Sequence, residues 1–229
     1  MTGLLVIDKP AGLTSMRVVE IVRRRAGGTK TGHAGTLDPL ATGVLVLALG
    51  RATKMIDRIM TTEKRYTTEI DLSAFTSTDD LEGPREEIAV QTPPDAHAIR
   101  QALEQFVGEF DQRPPDFSAV KVAGRRAYKH ARAGETLELP SRRVTIHDIT
   151  LKQYDWPIVT LDVHCAKGVY IRSLARDLGA ALGVGGHCRS IRRTAVGPFT
   201  LDEAWPLDDV PEPLSESDLL PVSNVPDSA

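Results

Sequence analysis

GHAGTLDPLATGVLVLALG (32–50) changes character halfway along. Its first half is small, polar and glycine-rich, and reads as a loop. From Val44 it becomes continuously apolar and rich in branched side chains, as expected of a strand buried on both faces. One carboxylate, Asp38, sits in the loop, with His33 five positions before it and Pro39 directly after. A buried strand gives such a loop a rigid base. The surrounding chain then decides the fold class. LLVID (4–8) reads as another buried strand ended by the turn KPAG. Thr14 or Ser15 can cap a helix reaching about Arg25, with Val18, Ile21 and Val22 on one face. TKMIDRIM (53–60) begins a short helix. KRYTTEIDL (64–72) alternates, placing Tyr66, Thr68, Ile70 and Leu72 on the interior side.

Further along, TSTDDLEGPREE (76–87) reads as a mobile polar loop. Asp95 can cap a helix carrying Ile99, Leu103, Phe106 and Val107. A turn at Gly124 leads into a basic helix closed by Gly134. Two strands follow, RVTIHDITLKQYD (143–155) and IVTLDVHCA (158–166), then a helix with Ile171, Leu174, Leu178 and Leu182 on one face, and a last strand at SIRRTAVGPFTL (190–201). Strands and helices mix without strict alternation. The expected class is therefore α+β, with a mixed, mainly antiparallel central sheet flanked by helices and loops.

The chain has 229 residues, enough for a substantial core, and no apolar run long enough to span a membrane. It shows no signal peptide, and its two cysteines provide no disulfide framework, so a cytoplasmic setting is expected. Net charge is −3, but the eight acids of residues 201–229 hide a basic remainder of 28 Lys and Arg against 23 acids. That remainder is clustered in RRRAGGTK (23–30), KVAGRRAYKHARAG (121–134), SRR (141–143) and CRSIRR (188–193). Local clusters of this kind suit a polyanion.

Tempting metal and phosphate motifs fail. His164-Cys165 and His187-Cys188 have the wrong spacing for a zinc quartet, and neighbours on a strand point to opposite faces. GVGG (183–186) follows a helix instead of opening one. A lone Asp38 can be a turn former, since Asp-Pro is a common turn dipeptide. As a reactive group, it has no partner acid for glycosidase work, but suits single-carboxylate chemistry. It would have to stay ionised, which calls for a cation. Arg172 is a candidate, because the first turn of its helix disfavours a cation unless an anion pairs with it.

HAGTLDPLATGVL (33–45), KRY (64–66), SAVKVAGRRAYKHAR (118–132), KGVYIRSLARDLG (167–179), GGHCRSIRR (185–193) and LLVIDKPAGLTS (4–15) together resemble the TruB family of tRNA pseudouridine synthases. The resemblance covers nearly all of residues 3–205. It implies the pseudouridine-synthase fold with a cleft across the sheet, and isomerisation of uridine 55 in the T-arm stem-loop of tRNA. It implies no cofactor and no metal, and the expected species is a monomer. It makes Asp38 the catalytic aspartate, Arg172 the arginine pairing with it, and Tyr66 the tyrosine stacking on the target base. His33 would enter the T-loop, and Tyr170 and Ile191 would line the uracil pocket. Lys9 would support the catalytic loop or a phosphate, and Lys64, Lys121 and Arg126 would contact phosphates. The expected organisation is a catalytic domain over 1–205 with a thumb-like basic insertion at about 110–140. An acidic strap and tail at 206–229 are too short for a complete PUA-type RNA-binding domain. Two other readings compete: a noncatalytic RNA-binding or tRNA-folding protein, and the catalytic subunit of a guide-RNA ribonucleoprotein.

Overall fold

The computed structural model describes residues 1–118, the backbone of 121–122 and 125–126, and residues 139–225. The chain divides into two compact units. The first comprises Met1–Thr67 with Ile191–Ala229, the second Thr68–Ser190.

In the first unit, β1 (Gly3–Lys9) lies antiparallel to β3 (Thr42–Leu49), with Ile7 opposite Leu45. The other edge of β3 takes the short β2 (Thr31–His33) and, in parallel, the second half of β12 (His187–Val196), with Arg193 opposite Gly43. β13 (Phe199–Thr200) pairs with β12, and β14 (Trp205–Pro206) runs parallel to β1. The apolar runs anticipated at 4–8 and 44–50 supply the core: Leu4, Val6, Val44, Val46 and Ala48 pack with Ile59, Val196 and Phe199. Each fully buried aliphatic side chain there contributes about 1.5–3 kcal/mol of transfer free energy. α1 (Ser15–Arg25) is capped by the Thr14 hydroxyl, which accepts from the Arg17 amide. A 3-10 stretch (Gly50–Met55) leads into α2 (Ile56–Thr61).

Among the described residues, the acidic C-terminal segment packs into the first unit. Leu207, Val210 and Leu214 are buried, and Leu4 and Leu220 exchange backbone hydrogen bonds. Arg25, at the end of α1, donates to the carbonyls of Leu207 and Val210, each at 2.7 Å. One arginine of the first basic cluster therefore serves the fold.

The second unit holds the end of β4 (Lys64–Asp71), a small hairpin of β5 (Ala74–Thr76) and β6 (Arg85–Glu87), α3 (Ala96–Glu104) and β7 (Gly108–Gln112). It continues with the paired β8 (Lys121–Val122) and β9 (Arg125–Arg126), β10 (Arg142–Asp155), β11 (Ile158–Cys165), α4 (Ile171–Leu182) and the start of β12. Its strands run β4–β11–β10–β7, and β10 is antiparallel to both neighbours. Asp95 caps α3, accepting from the Ala98 amide. Gly183 closes α4 at φ 69°, in the left-handed region that favours glycine. The α+β class with a mixed, mainly antiparallel sheet is the observed one.

Four local expectations change. His33 lies in a strand, not a loop, because the Gly/Thr stretch pairs with β3 as it passes. Val107 lies beyond α3 and is exposed, whereas Ile99, Leu103 and Phe106 are buried. Arg125–Arg126 form a strand in place of the start of a basic helix, and the rest of that expected helix, up to Gly134, lies outside the described residues. The first part of the stretch at 76–87 is not solvated: Thr76, Thr78, Asp79 and Asp80 are buried, whereas nearly all of 81–87 is exposed. Asp80 and Asp79 pair with Arg172 and Arg176, so the charge that suggested solvent meets its counter-charge within the fold.

Candidate active site

The loop carrying Asp38 is held almost carbonyl by carbonyl. The Arg193 guanidinium, on β12 and 2% exposed, donates to the carbonyls of Gly35 (3.1 Å), Thr36 (3.4 Å) and Val44 (2.8 Å). The Ser15 hydroxyl, at the start of α1, donates to the Leu37 carbonyl and accepts from the Leu37 amide, at 2.9 and 2.8 Å. The Pro39 carbonyl accepts from the Lys9 ammonium (3.3 Å) and from the Gly12 amide (2.8 Å). The residues on both sides of Asp38 are thus fixed by groups from β1, α1 and β12, while Asp38 itself is half-buried. Gly43 makes the fit possible. Its φ of +97° favours glycine, and a Cβ there would come 2.1 Å from the Arg193 carbonyl. Beside it, Arg192 grips Asp8 with both nitrogens, at 2.7 and 3.1 Å.

Lys9 is fully buried and also donates to the carbonyls of Pro10 (2.9 Å) and Leu13 (2.7 Å). Of the two expected roles, it takes that of loop support. Burial lowers its pKa from 10.5 to about 8; the Asp38 carboxylate opposes this shift, and the Arg193 charge adds to it. A depressed pKa in a base means that the fold penalises its charged form. Below about pH 8 that penalty is constant. Between about 8 and 10.5 the folded protein releases the proton while the unfolded chain keeps it, so this group makes stability rise with pH. Lys9→Met should remove that rise. Urea denaturation of both proteins at pH 7.5, 9 and 10 checks it, and parallel profiles would contradict it.

His33 is half-buried, with its pKa lowered first by burial and then by the Arg193 charge. Its Nδ1 is buried without a hydrogen-bond partner among the described residues. Tyr66 is half-buried, on the strand face that buries Lys64, Thr68 and Ile70. Ile191 is buried. Lys64 also turns inward: its ammonium donates to the Met60 carbonyl (2.7 Å) and to that of Thr62. Of Lys121 and Arg126, the structure gives only that they sit opposite each other in β8–β9.

Arg172 and Tyr170 belong to the second unit. Arg172, 4% exposed, donates to the carbonyls of Thr78 and Phe117, both at 2.9 Å, and pairs with Asp80 at 3.3 Å. The anion this cation meets within its own unit is Asp80, which the sequence reading did not name. Four residues on, Arg176 pairs with Asp79 at 2.9 Å and donates to the Arg113 carbonyl. Burial lifts the Asp79 carboxyl to about 6 despite these arginines. Tyr170 is fixed through its backbone, its amide donating to the Gln112 side chain (2.8 Å), whose amide donates back to the Tyr170 carbonyl (3.1 Å). The sequence reading missed Arg193, Ser15, Asp79, Asp80 and Arg176. The i,i+4 arginines of IRSLAR and the adjacent acids of TSTDD were the available signal for the last three. Cys165 and Cys188 are both buried and unbridged.

Solved structures share this architecture. A Cbf5–Nop10–Gar1 complex matches at 32% identity and TM-score 0.72, over 91% of this chain and 53% of that one. An H/ACA RNP bound to a substrate RNA containing 2′-deoxyuridine matches at 29% and 0.69, over 91% and 52%. This chain spans about half the length of either. The fold is that of the pseudouridine synthases. The N-terminal domain of the TruB family pseudouridylate synthases matches residues 23–171, and the tRNA pseudouridylate synthase B C-terminal domain matches 172–219. Proteins named tRNA pseudouridine synthase B are similar over most of their length. That of Thermobifida fusca is 49% identical, over 91% of this chain and 74% of the relative; that of Corynebacterium efficiens is 48% identical, over 91% and 72%. The chain belongs to the TruB family.

Proposed function

We propose that this chain converts uridine 55 in the T-arm stem-loop of tRNA to pseudouridine, with Asp38 as the catalytic carboxylate. The observation that carries the reading is the framing of Asp38. Lys9, Ser15 and Arg193 fix the backbone around it and leave its carboxylate half-buried, as preorganised chemistry requires. In the reaction the C1′–N1 bond breaks and a C1′–C5 bond forms; C5 loses a proton and N1 ends with one. Atoms and electrons balance without a cofactor. Asp38 either attacks C1′ or removes a sugar proton, and both roles require the ionised form.

The flipped uracil would stack on Tyr66 and meet Ile191 and Tyr170, with His33 filling the space it leaves. The lowered pKa of His33 suits that role, since a neutral ring enters a stacked loop without carrying a charge. Basic residues of 23–30 and 121–134 would take the phosphates. The protein would act as a monomer in the cytoplasm, where its substrate is made; no helix among the described residues is long and apolar enough to cross a membrane. The guide-RNA reading is less favoured, because relatives at 48–49% identity are named tRNA pseudouridine synthase B.

Incubation of the purified chain with an unmodified tRNA transcript, and with its isolated T-arm hairpin, should yield pseudouridine at position 55 in both. Chemical mapping of pseudouridine reads the result. RNA binding without product would instead make the chain a binding protein.

A further inference from the structure

We propose that His147 and His164 form a chelating pair for a divalent transition-metal ion of the Zn²⁺ or Ni²⁺ class. β10 and β11 are antiparallel, with Ile146 opposite Cys165 but Asp148 opposite His164. His147 is therefore the extra residue of a β-bulge, so that two residues face one, and bulges commonly re-aim a side chain. The two imidazole rings stand 4.9 Å apart between centroids, tilted by 52°. A ligating nitrogen of each lies within 4.8 Å of the other. Two Zn–N bonds of about 2.0–2.1 Å in tetrahedral geometry set the nitrogens roughly 3.3 Å apart, so they must approach by up to about 1.5 Å.

Rotation about the side-chain bonds of His147 and His164 can bring the nitrogens together. The neighbours Ile146 and Cys165 are buried and hold the two strands, whereas His147 is exposed and His164 half-buried, so an ion can enter. Imidazole suits Zn²⁺, Cu²⁺ and Ni²⁺ over the hard cations. Two carboxylates lie nearby, one of them paired with a lysine. Asp148 adjoins His147 and accepts from the Thr150 hydroxyl, and Asp162, two residues before His164, pairs with Lys152 at 3.4 Å. Water would complete the coordination shell. Such an ion would staple β10 to β11 and stabilise the native state by mass action. The sequence reading set His164 against Cys165; the structure gives it a partner across the strand pair instead. None of the residues assigned to the isomerisation takes part.

The test is calorimetric titration of tag-free protein with ZnSO₄ and, separately, NiCl₂, alongside thermal melts with and without each salt. One ion per chain and a raised melting temperature are expected. His147→Ala and His164→Ala should each weaken binding by about tenfold or more and abolish the melting shift. Both positions are solvent-accessible, and unchanged melts in chelator would show that both variants fold. His97→Ala, at an exposed histidine elsewhere, should bind as the wild type does. Equal binding by the His147 and His164 variants, loss of binding in the His97 variant, or no binding by the wild type would each overturn the proposal and leave a ring–ring contact alone.

Discussion

Asp38→Asn should lower the single-turnover rate of pseudouridine formation by about 10²–10⁴-fold or more, while leaving the fold and RNA affinity nearly intact. The substitution keeps the size and shape of the side chain and removes only its charge and basicity. The backbone on either side is held by Ser15, Lys9 and Arg193 through carbonyls and an amide, none of which involves the carboxylate. The frame therefore survives the change. The electrostatic consequence is also local: Lys9 loses the carboxylate that opposes its desolvation, so its pKa should fall further below 8. Quenched single-turnover assays on a T-arm hairpin measure the rate, and filter binding on the same RNA measures affinity. A rate within about tenfold of wild type would remove Asp38 from the chemistry. A parallel collapse of affinity and melting temperature would make it a structural turn residue, the role that Asp-Pro dipeptides often take.

What the sequence disclosed and what it hid follow one physical division. Apolar periodicity is local and survives folding, so β1, β3, α1, α3, β10, β11 and α4 fall near their expected places. Buried charge is non-local. Arg193 looks like one more member of a basic cluster, yet it is 2% exposed and holds three carbonyls of the 35–44 loop. The resemblance gives Lys64 a phosphate and leaves Lys9 either loop support or a phosphate; within the fold the Lys64 ammonium donates to the Met60 carbonyl and that of Lys9 to the Leu13 carbonyl. The TSTDD stretch inverts the error, since its acids read as solvated until their partners arrive from a helix more than 90 residues later. The dipole argument at Arg172 did foresee an anion, because a cation at a helix start is unfavourable whatever the fold. The identity of the Asp80 partner required the chain to be folded.

Arg172→Met should destabilise the protein by about 3–5 kcal/mol, the range typical of removing one partner of a buried ion pair. Asp80 is 3% exposed and would keep a carboxylate without the guanidinium it faces at 3.3 Å. The carbonyls of Thr78 and Phe117 would lose their donors as well. Lysine cannot repair this, because its compact ammonium lacks the planar, rigid fork with which the guanidinium places separate nitrogens on Thr78, Phe117 and Asp80. Arg172→Lys should therefore stay well below wild type. Asp80→Asn should restore part of the loss when combined with Arg172→Met, with a coupling of about 0.5–3 kcal/mol, as expected for residues in one network. Urea denaturation of the four proteins at pH 7 closes the cycle. Additive effects would show that the two side chains act separately, and the buried arginine would then be holding the 78–80 segment through its carbonyl bonds alone.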